Sequence, residues 1–246
     1  MNIFFLAHAG GTAKIYSHTF TELLKGCRVT ALELPGHGGR LDEPLLDKLG
    51  DMVDDLFAQM NEFGYLSDDY VLFGHSMGGL LAYLLAAKIP KVQQPRHIFL
   101  SSTLKPGLLP VGPEILDLGD EEFWRTCQDC FGAVNPEAAG SMEMILLFAP
   151  ILRADLAAVI CQNYDPWPQL DLPATVFFAE KDIVSGLDMA GWQAYFTRPL
   201  EIYRLPGNHF HILTDPKILA DRILATVADL SGKPEASVVS DSFKKL

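Results

Sequence analysis

Positive charge is scarce in this chain. Nineteen lysines and arginines face 31 aspartates and glutamates over 246 residues, a formal net charge of −12. A nucleic-acid binder needs a clustered basic face and a peripheral membrane anchor needs a polybasic patch, so both classes are excluded. Long apolar runs are missing too. The longest candidate, near Met144 to Leu152, falls far short of the ~18 residues of a membrane span. Met1 to Leu6 holds no basic stretch ahead of an apolar one, so no secretory signal is expected. Cysteine is sparse: Cys27, Cys127, Cys130 and Cys161 are too few and too scattered for a disulfide framework. The expectation is a reduced, cytoplasmic protein. No internal repeat is present. What the chain has in plenty is apolar residues, 49% of the total. That is enough to bury a sizeable core, and the length suits one large α/β domain.

Short apolar runs alternate with amphipathic stretches, the pattern of a parallel sheet covered by helices. The strand candidates are Ile3 to Ala7, Val29 to Leu34, Tyr70 to Phe73, His97 to Ser101, Thr175 to Ala179 and Leu200 to Leu205. They are continuous rather than alternating, as strands buried on both faces are. Helical periodicity places Tyr16, Phe20, Leu23 and Leu24 on one stripe, and Leu45, Leu49, Met52, Val53, Leu56, Phe57 and Met60 on another. Leu80 to Ile89 is apolar nearly all round and reads as a central helix stopped by Pro90. Leu219, Ile223, Val227 and Leu230 form the last helix, entered through Asp215 as N-cap and Pro216 at the first helical position. Between Leu104 and Leu170 the alternation stops. A Pro/Gly loop from Pro106 to Pro113 leads into apolar helical pieces (Phe123 to Phe131, Met142 to Leu152, Leu156 to Ile160) and ends in Asp165-Pro166-Trp167-Pro168. This reads as a helical lid inserted between two strands. Residues 1–230 then form the domain, with the insertion at about 104–170, and 231–246 form a flexible tail.

Gly74-His75-Ser76-Met77-Gly78 contains G-x-S-x-G. The motif alone is weak; here it follows the run Tyr70 to Phe73 and precedes a helix, the strand–turn–helix context it requires. A serine hydroxyl needs a base, and the base needs an orienting acid. On an α/β-hydrolase fold the chain order is serine, acid, histidine. His209 directly follows the last strand candidate and is the expected base, with His211 as the alternative. His97 opens a strand and lies at the wrong edge. The strand Thr175 to Ala179 ends in Glu180-Lys181-Asp182, which makes Asp182 the expected acid and Glu180 its alternative. The oxyanion hole needs two backbone N–H groups. Met77, after the serine, supplies one; the loop His8-Ala9-Gly10-Gly11 after the first strand supplies the other, through Ala9.

With these residues in place, the chain resembles the type II thioesterases, stand-alone editing hydrolases of nonribosomal peptide and polyketide assembly lines. The likeness runs from Phe4 to about Leu230. It is carried by Leu6 to Gly11, Leu34-Pro35-Gly36 to Arg40, the Gly74 to Gly78 motif, Leu152-Arg153-Ala154-Asp155, Asp182, Trp192, and Leu205 to Phe210. Asn208 stands where glycine is usual, Ile183 where proline is common and His37 where arginine is usual; none touches the triad. The resemblance implies an α/β-hydrolase fold, a mostly parallel doubly wound sheet with a helical lid. It also implies acyl thioesters on the phosphopantetheine arm of a carrier protein as substrate, no cofactor, and a monomer.

Other features point elsewhere only weakly. Cys127-Gln128-Asp129-Cys130 lacks two further ligands for zinc, and His209-Phe210-His211 lacks the i, i+4 spacing of a helical metal pair, so no metal is expected. Gly36-His37-Gly38-Gly39 and Gly78-Gly79 are not phosphate loops. Met142, Met144, Ile145, Leu146, Leu147 and Phe148 serve either as core or as the wall of an acyl channel. A small-molecule esterase or lactonase shares fold and triad, and a hydrolase-fold binding protein without activity is the remaining alternative.

Overall fold

The structure, a computed structural model, describes residues 1–108, 111–132, 141–162, 167–183, 189–232 and 244–245. Six parallel strands form its centre: β1 (Asn2–Leu6), β2 (Arg28–Ala31), β3 (Tyr70–His75), β4 (Ile98–Ser101), β5 (Ala174–Ala179) and β6 (Glu201–Leu205). A two-residue strand, β7 (Lys244–Lys245), pairs antiparallel with β6 at the edge. The spatial order is β2-β1-β3-β4-β5-β6-β7. The strands alternate their side chains between two faces, as the pleat demands. In β1, Phe4 and Leu6 join one core cluster while Ile3 and Phe5 join the other.

Each face is closed by helices. The stripes of α2 (Leu49–Glu62) and the nearly all-apolar α3 (Met77–Lys88) cover one; α1 (Ala13–Phe20) and α7 (Pro216–Leu230) cover the other. A short helix, α6 (His211–Thr214), precedes α7. Between β4 and β5 lie α4 (Asp120–Phe131) and α5 (Met142–Ile160), packed on each other around Phe123, Ile145, Ala149 and Leu156.

Some local expectations are corrected. Leu45 lies outside α2; it is held in the preceding loop, where a Cβ on Gly36 would come within 2.4 Å of it. Asp215 occupies the N-cap position of α7 but its side chain makes no capping bond. The last two apolar pieces of the insertion are one 19-residue helix, continuous across Arg153 to Asp155 and with Pro150 inside it. Proline removes a single N–H from the helix ladder, and the packing of α5 on α4 outweighs that loss. Asp165 and Pro166, like residues 233–243 of the expected tail, lie outside the described residues. Lys244 and Lys245 belong to the sheet edge, a pairing too short to leave any periodic signal.

The order of the strands fixes where chemistry can occur. From β1 the chain moves outward to β2, then returns to the other side of β1 as β3. Loops at the carboxyl ends of β1 and β3 therefore diverge and leave a crevice.

Candidate active site

Ser76 sits at the carboxyl end of β3, in the turn into α3, with φ 54 and ψ −121. This is a sparsely populated conformation for a residue with a side chain, held by close packing on every side. A Cβ on Gly74 would stand 2.0 Å from the Gly78 carbonyl oxygen, and one on Gly78 would stand 2.1 Å from the Leu6 carbonyl oxygen. The Ser76 N–H donates to the Ser101 carbonyl at 2.8 Å. Thr103 Oγ1 donates to the Ser76 carbonyl at 3.0 Å, and the buried Trp192 Nε1 donates to the Thr103 carbonyl at 2.7 Å. The tryptophan therefore braces the turn from behind.

The loops after β5 and β6 are tied together. Glu180 N–H donates to the Leu205 carbonyl and Lys181 N–H to the Gly207 carbonyl, each at 2.9 Å. That pairing brings Asp182 beside His209, whose Nδ1 lies 3.0 Å from both carboxylate oxygens. Both side chains are buried. Glu180, by contrast, is exposed. Asn208 Oδ1 accepts the Phe210 N–H at 3.0 Å, an Asx-turn that supplies locally the bend expected of glycine at this position. Among the described residues no hydrogen bond joins the Ser76 hydroxyl to His209. Catalytic bonds of this type commonly tighten only on substrate binding.

Ser76, His209, Met77 and Ala9 line one cleft. Its remaining wall is mostly apolar, including Leu80, Leu108, Phe131, Leu156, Val159 and Ile160. The Met77 amide begins α3 and has no intrahelical acceptor. The second half of α5 thus walls the cleft. The first half does not: Met142, Met144, Leu146 and Leu147 are exposed, and Ile145 packs into the α4–α5 core.

Electrostatics around His209 are simple. Burial, reinforced by the nearby charge of His209, depresses His8 to about 3 and His211 to about 4, and pushes His75 well below its ordinary value. These histidines stay neutral, and Asp182 is the carboxylate that His209 Nδ1 faces. A second serine–histidine contact exists, Ser101 Oγ to His211 Nε2 at 3.3 Å. Both residues are buried, neither lines the cleft, and Ser101 also meets His75 Nδ1 at 3.0 Å. This contact supports the elbow from below. Cys127 is buried with its thiol pushed up to about 12, and Cys130 is also raised by burial, so neither is a reactive thiolate. Among the described residues no group of His, Cys, Asp or Glu is arranged to hold a metal, and no helix is long and apolar enough to cross a membrane.

The sequence of the thioesterase-domain family matches residues 1–227. This chain belongs to the thioesterase family. It is a thioester hydrolase on an α/β-hydrolase fold. The chain is 31% identical to RedJ, a thioesterase from the prodiginine biosynthetic pathway of Streptomyces coelicolor, with a TM-score of 0.81 over 93% of this chain and 85% of that one. It is 27% identical to thioesterase TesA of Mycobacterium marinum, over 92% of this chain and 90% of the relative. It is 31% identical to the human medium-chain S-acyl fatty acid synthase thioesterase, over 76% of this chain and 71% of the relative.

Ser102 is among the lining residues that sequence reasoning missed. Ser102 follows β4 with φ 48, is buried, and its hydroxyl has no partner. Nothing in its sequence context announces a left-handed serine. Ser102→Gly relieves both penalties and is expected to stabilise the fold by ~1 kcal/mol, net of the added chain entropy of glycine, raising Tm by roughly 2–4 °C. A calorimetric Tm at or below that of the parent would show that the position stores no strain.

Proposed function

We propose that this thioesterase is a type II, editing enzyme that removes acyl groups from the phosphopantetheine arm of carrier proteins in nonribosomal peptide or polyketide synthesis. The observation that carries the reading is the cleft itself. It brings Ser76 and His209 together with Ala9 and Met77, the residues read as oxyanion donors, beside a mostly apolar wall that would suit an acyl chain. In this mechanism Ser76 attacks the thioester carbonyl as His209 Nε2 takes the hydroxyl proton. The Ala9 and Met77 amides hold the oxyanion, and the C–S bond breaks as the thiolate leaves. His209 protonates the thiolate, then takes a proton from water as that water attacks the acyl-serine; the acyl C–Oγ bond breaks, the carboxylic acid leaves, and His209 returns the proton to Ser76 Oγ. Asp182 fixes the imidazole so that Nδ1–H points to the carboxylate and stabilises its cationic form. We place the enzyme in the cytoplasm as a monomer, in keeping with its four free cysteines.

The test is a panel of acyl-loaded carrier proteins and matched oxygen esters, followed by intact mass. Preferential unloading of the carriers supports the reading; faster turnover of simple oxygen esters points to an esterase or lactonase.

Charge sets a further expectation. Carrier proteins of this type are acidic, and this chain carries −12. The insertion offers few cations in return. Arg153 is already used, paired with Asp120 at 2.9 Å and lying 4.1 Å over the Phe123 ring. Long-range electrostatics therefore oppose encounter, and recognition rests on the arm and its acyl group. Raising salt screens the repulsion, so kcat/KM is expected to stay flat or rise slightly. A severalfold fall between low and physiological salt, with the fold intact, would point to a basic docking patch instead.

A further inference from the structure

The carboxylate of Asp155 is fully buried, yet it lies on the insertion helix α5 and far in sequence from everything it binds. Its Oδ2 accepts the Gly10 N–H at 2.7 Å and meets His37 Nε2 at 2.9 Å. His37 is buried as well, and its Nδ1 lies 2.9 Å from the Pro35 carbonyl oxygen. Three segments meet at this carboxylate: α5, the loop after β2, and the loop after β1 that carries Ala9.

With Asp155 ionised, the contact chemistry sets the charge state of His37. A carbonyl oxygen only accepts, so His37 Nδ1 carries a hydrogen. The carboxylate oxygen, already holding the Gly10 N–H, also accepts, so Nε2 carries the second. His37 is then an imidazolium paired with a buried carboxylate. Its surroundings agree. Burial opposes the charge, but Asp155, the Pro35 carbonyl and the nearby Glu33 together raise His37 above its ordinary value. Those are the groups that face it: Asp155 from α5, and Glu33 and Pro35 from its own loop.

The loop is also packed from the same side. Gly10 has φ +72, and a Cβ there would stand 3.5 Å from Leu152, one turn before Asp155 on α5. Ala9 touches both the main core and the α4–α5 core. The loop is thus clamped by α5 through one carboxylate and one leucine.

We propose that Asp155 is a positioning residue, through which α5 holds the Gly10 amide and so sets the direction of the neighbouring Ala9 amide at the reacting carbonyl. This rests on the oxyanion role proposed for Ala9. It makes the quality of the oxyanion hole depend on α5 being docked, and on His37 being charged. Neutral His37 keeps Nδ1–H on Pro35 and turns an Nε2 lone pair toward Asp155, which opens the contact. A displaced oxyanion donor costs catalysis rather than binding, because it acts on charge that develops only in the transition state.

The experiment compares Asp155→Leu, Asp155→Asn and His37→Gln with the parent. It measures kcat, KM, pH profile, and inhibition by a trifluoromethyl ketone acyl analogue, whose adduct carries an oxyanion. Asp155→Leu is expected to lower kcat by roughly 10–100-fold with KM within about threefold, and to weaken the inhibitor in parallel. Asp155→Asn keeps an acceptor for Gly10 and is expected to recover most of the loss. The parent should lose kcat on the alkaline side as His37 neutralises, and His37→Gln should show a lower plateau without that limb. If Asp155→Leu retains parental kcat and inhibitor affinity, with only Tm reduced, the residue is merely structural and the proposal fails. If Asp155→Leu does not fold, an unchanged alkaline limb at the parental kcat plateau in His37→Gln overturns it equally. Retention of turnover by Ser76→Ala would instead defeat the underlying catalytic reading.

Discussion

Ser76→Ala is expected to lower thioester turnover by about 10⁴-fold or more and to abolish labelling by a fluorophosphonate, while leaving the fold intact. The hydroxyl makes no hydrogen bond to His209, and the turn is held by backbone and by Thr103, so its loss costs little stability. His209→Ala should cost a similar factor, and the double variant little more, because nucleophile and base act as one unit. Asp182→Asn should be less damaging than loss of His209, since it misorients the base without deleting it. Glu180→Gln should be nearly silent, as Glu180 is exposed and His209 Nδ1 faces Asp182 at 3.0 Å. A crippled Glu180→Gln beside a mild Asp182→Asn would reverse the assignment of the acid.

The largest effect on stability is expected from Gly78→Ala. Its added methyl would lie 2.1 Å from the Leu6 carbonyl oxygen and 2.6 Å from that of Ala7. Both oxygens belong to backbone at the end of the central strand β1, which cannot step aside without moving β2 and β3 with it. Overpacking against backbone should cost roughly 3 kcal/mol or more, a fall in Tm on the order of 10 °C. Gly50→Ala is the control: it lies in α2 with nothing within 4 Å of the added carbon, and should stabilise by ~0.5–1 kcal/mol. Comparable Tm values for the two variants would mean that the turn is far more compliant than its packing indicates.

Much of this was legible beforehand, for physical reasons. Strands buried on both faces leave uninterrupted apolar runs, and all six parallel strands are visible that way. The sharp turn at Ser76 demands small flanking residues, so Gly74 and Gly78 mark it in any sequence. Chain order and strand ends then single out Asp182 and His209. Long-range polar contacts leave no such trace. Nothing in Leu152-Arg153-Ala154-Asp155 says that its carboxylate reaches Gly10 and His37, because burial of a charge depends on what folds over it. The unbroken length of α5 was hidden because Arg153-Ala154-Asp155 interrupts the apolar run, although the helix continues straight through it. The pairing of Lys244–Lys245 on β6 is too short for any pattern to reveal.

The most direct test of the central claim is intact-mass spectrometry of the protein mixed briefly with an acyl-phosphopantetheine carrier and quenched in acid. The expected result is discharge of the carrier to its free thiol, and a transient adduct on the enzyme equal to the acyl group. Peptide mapping should place that adduct on Ser76, and it should be absent in Ser76→Ala. Discharge of the carrier by Ser76→Ala at the parental rate, or an adduct on any other residue, would contradict it.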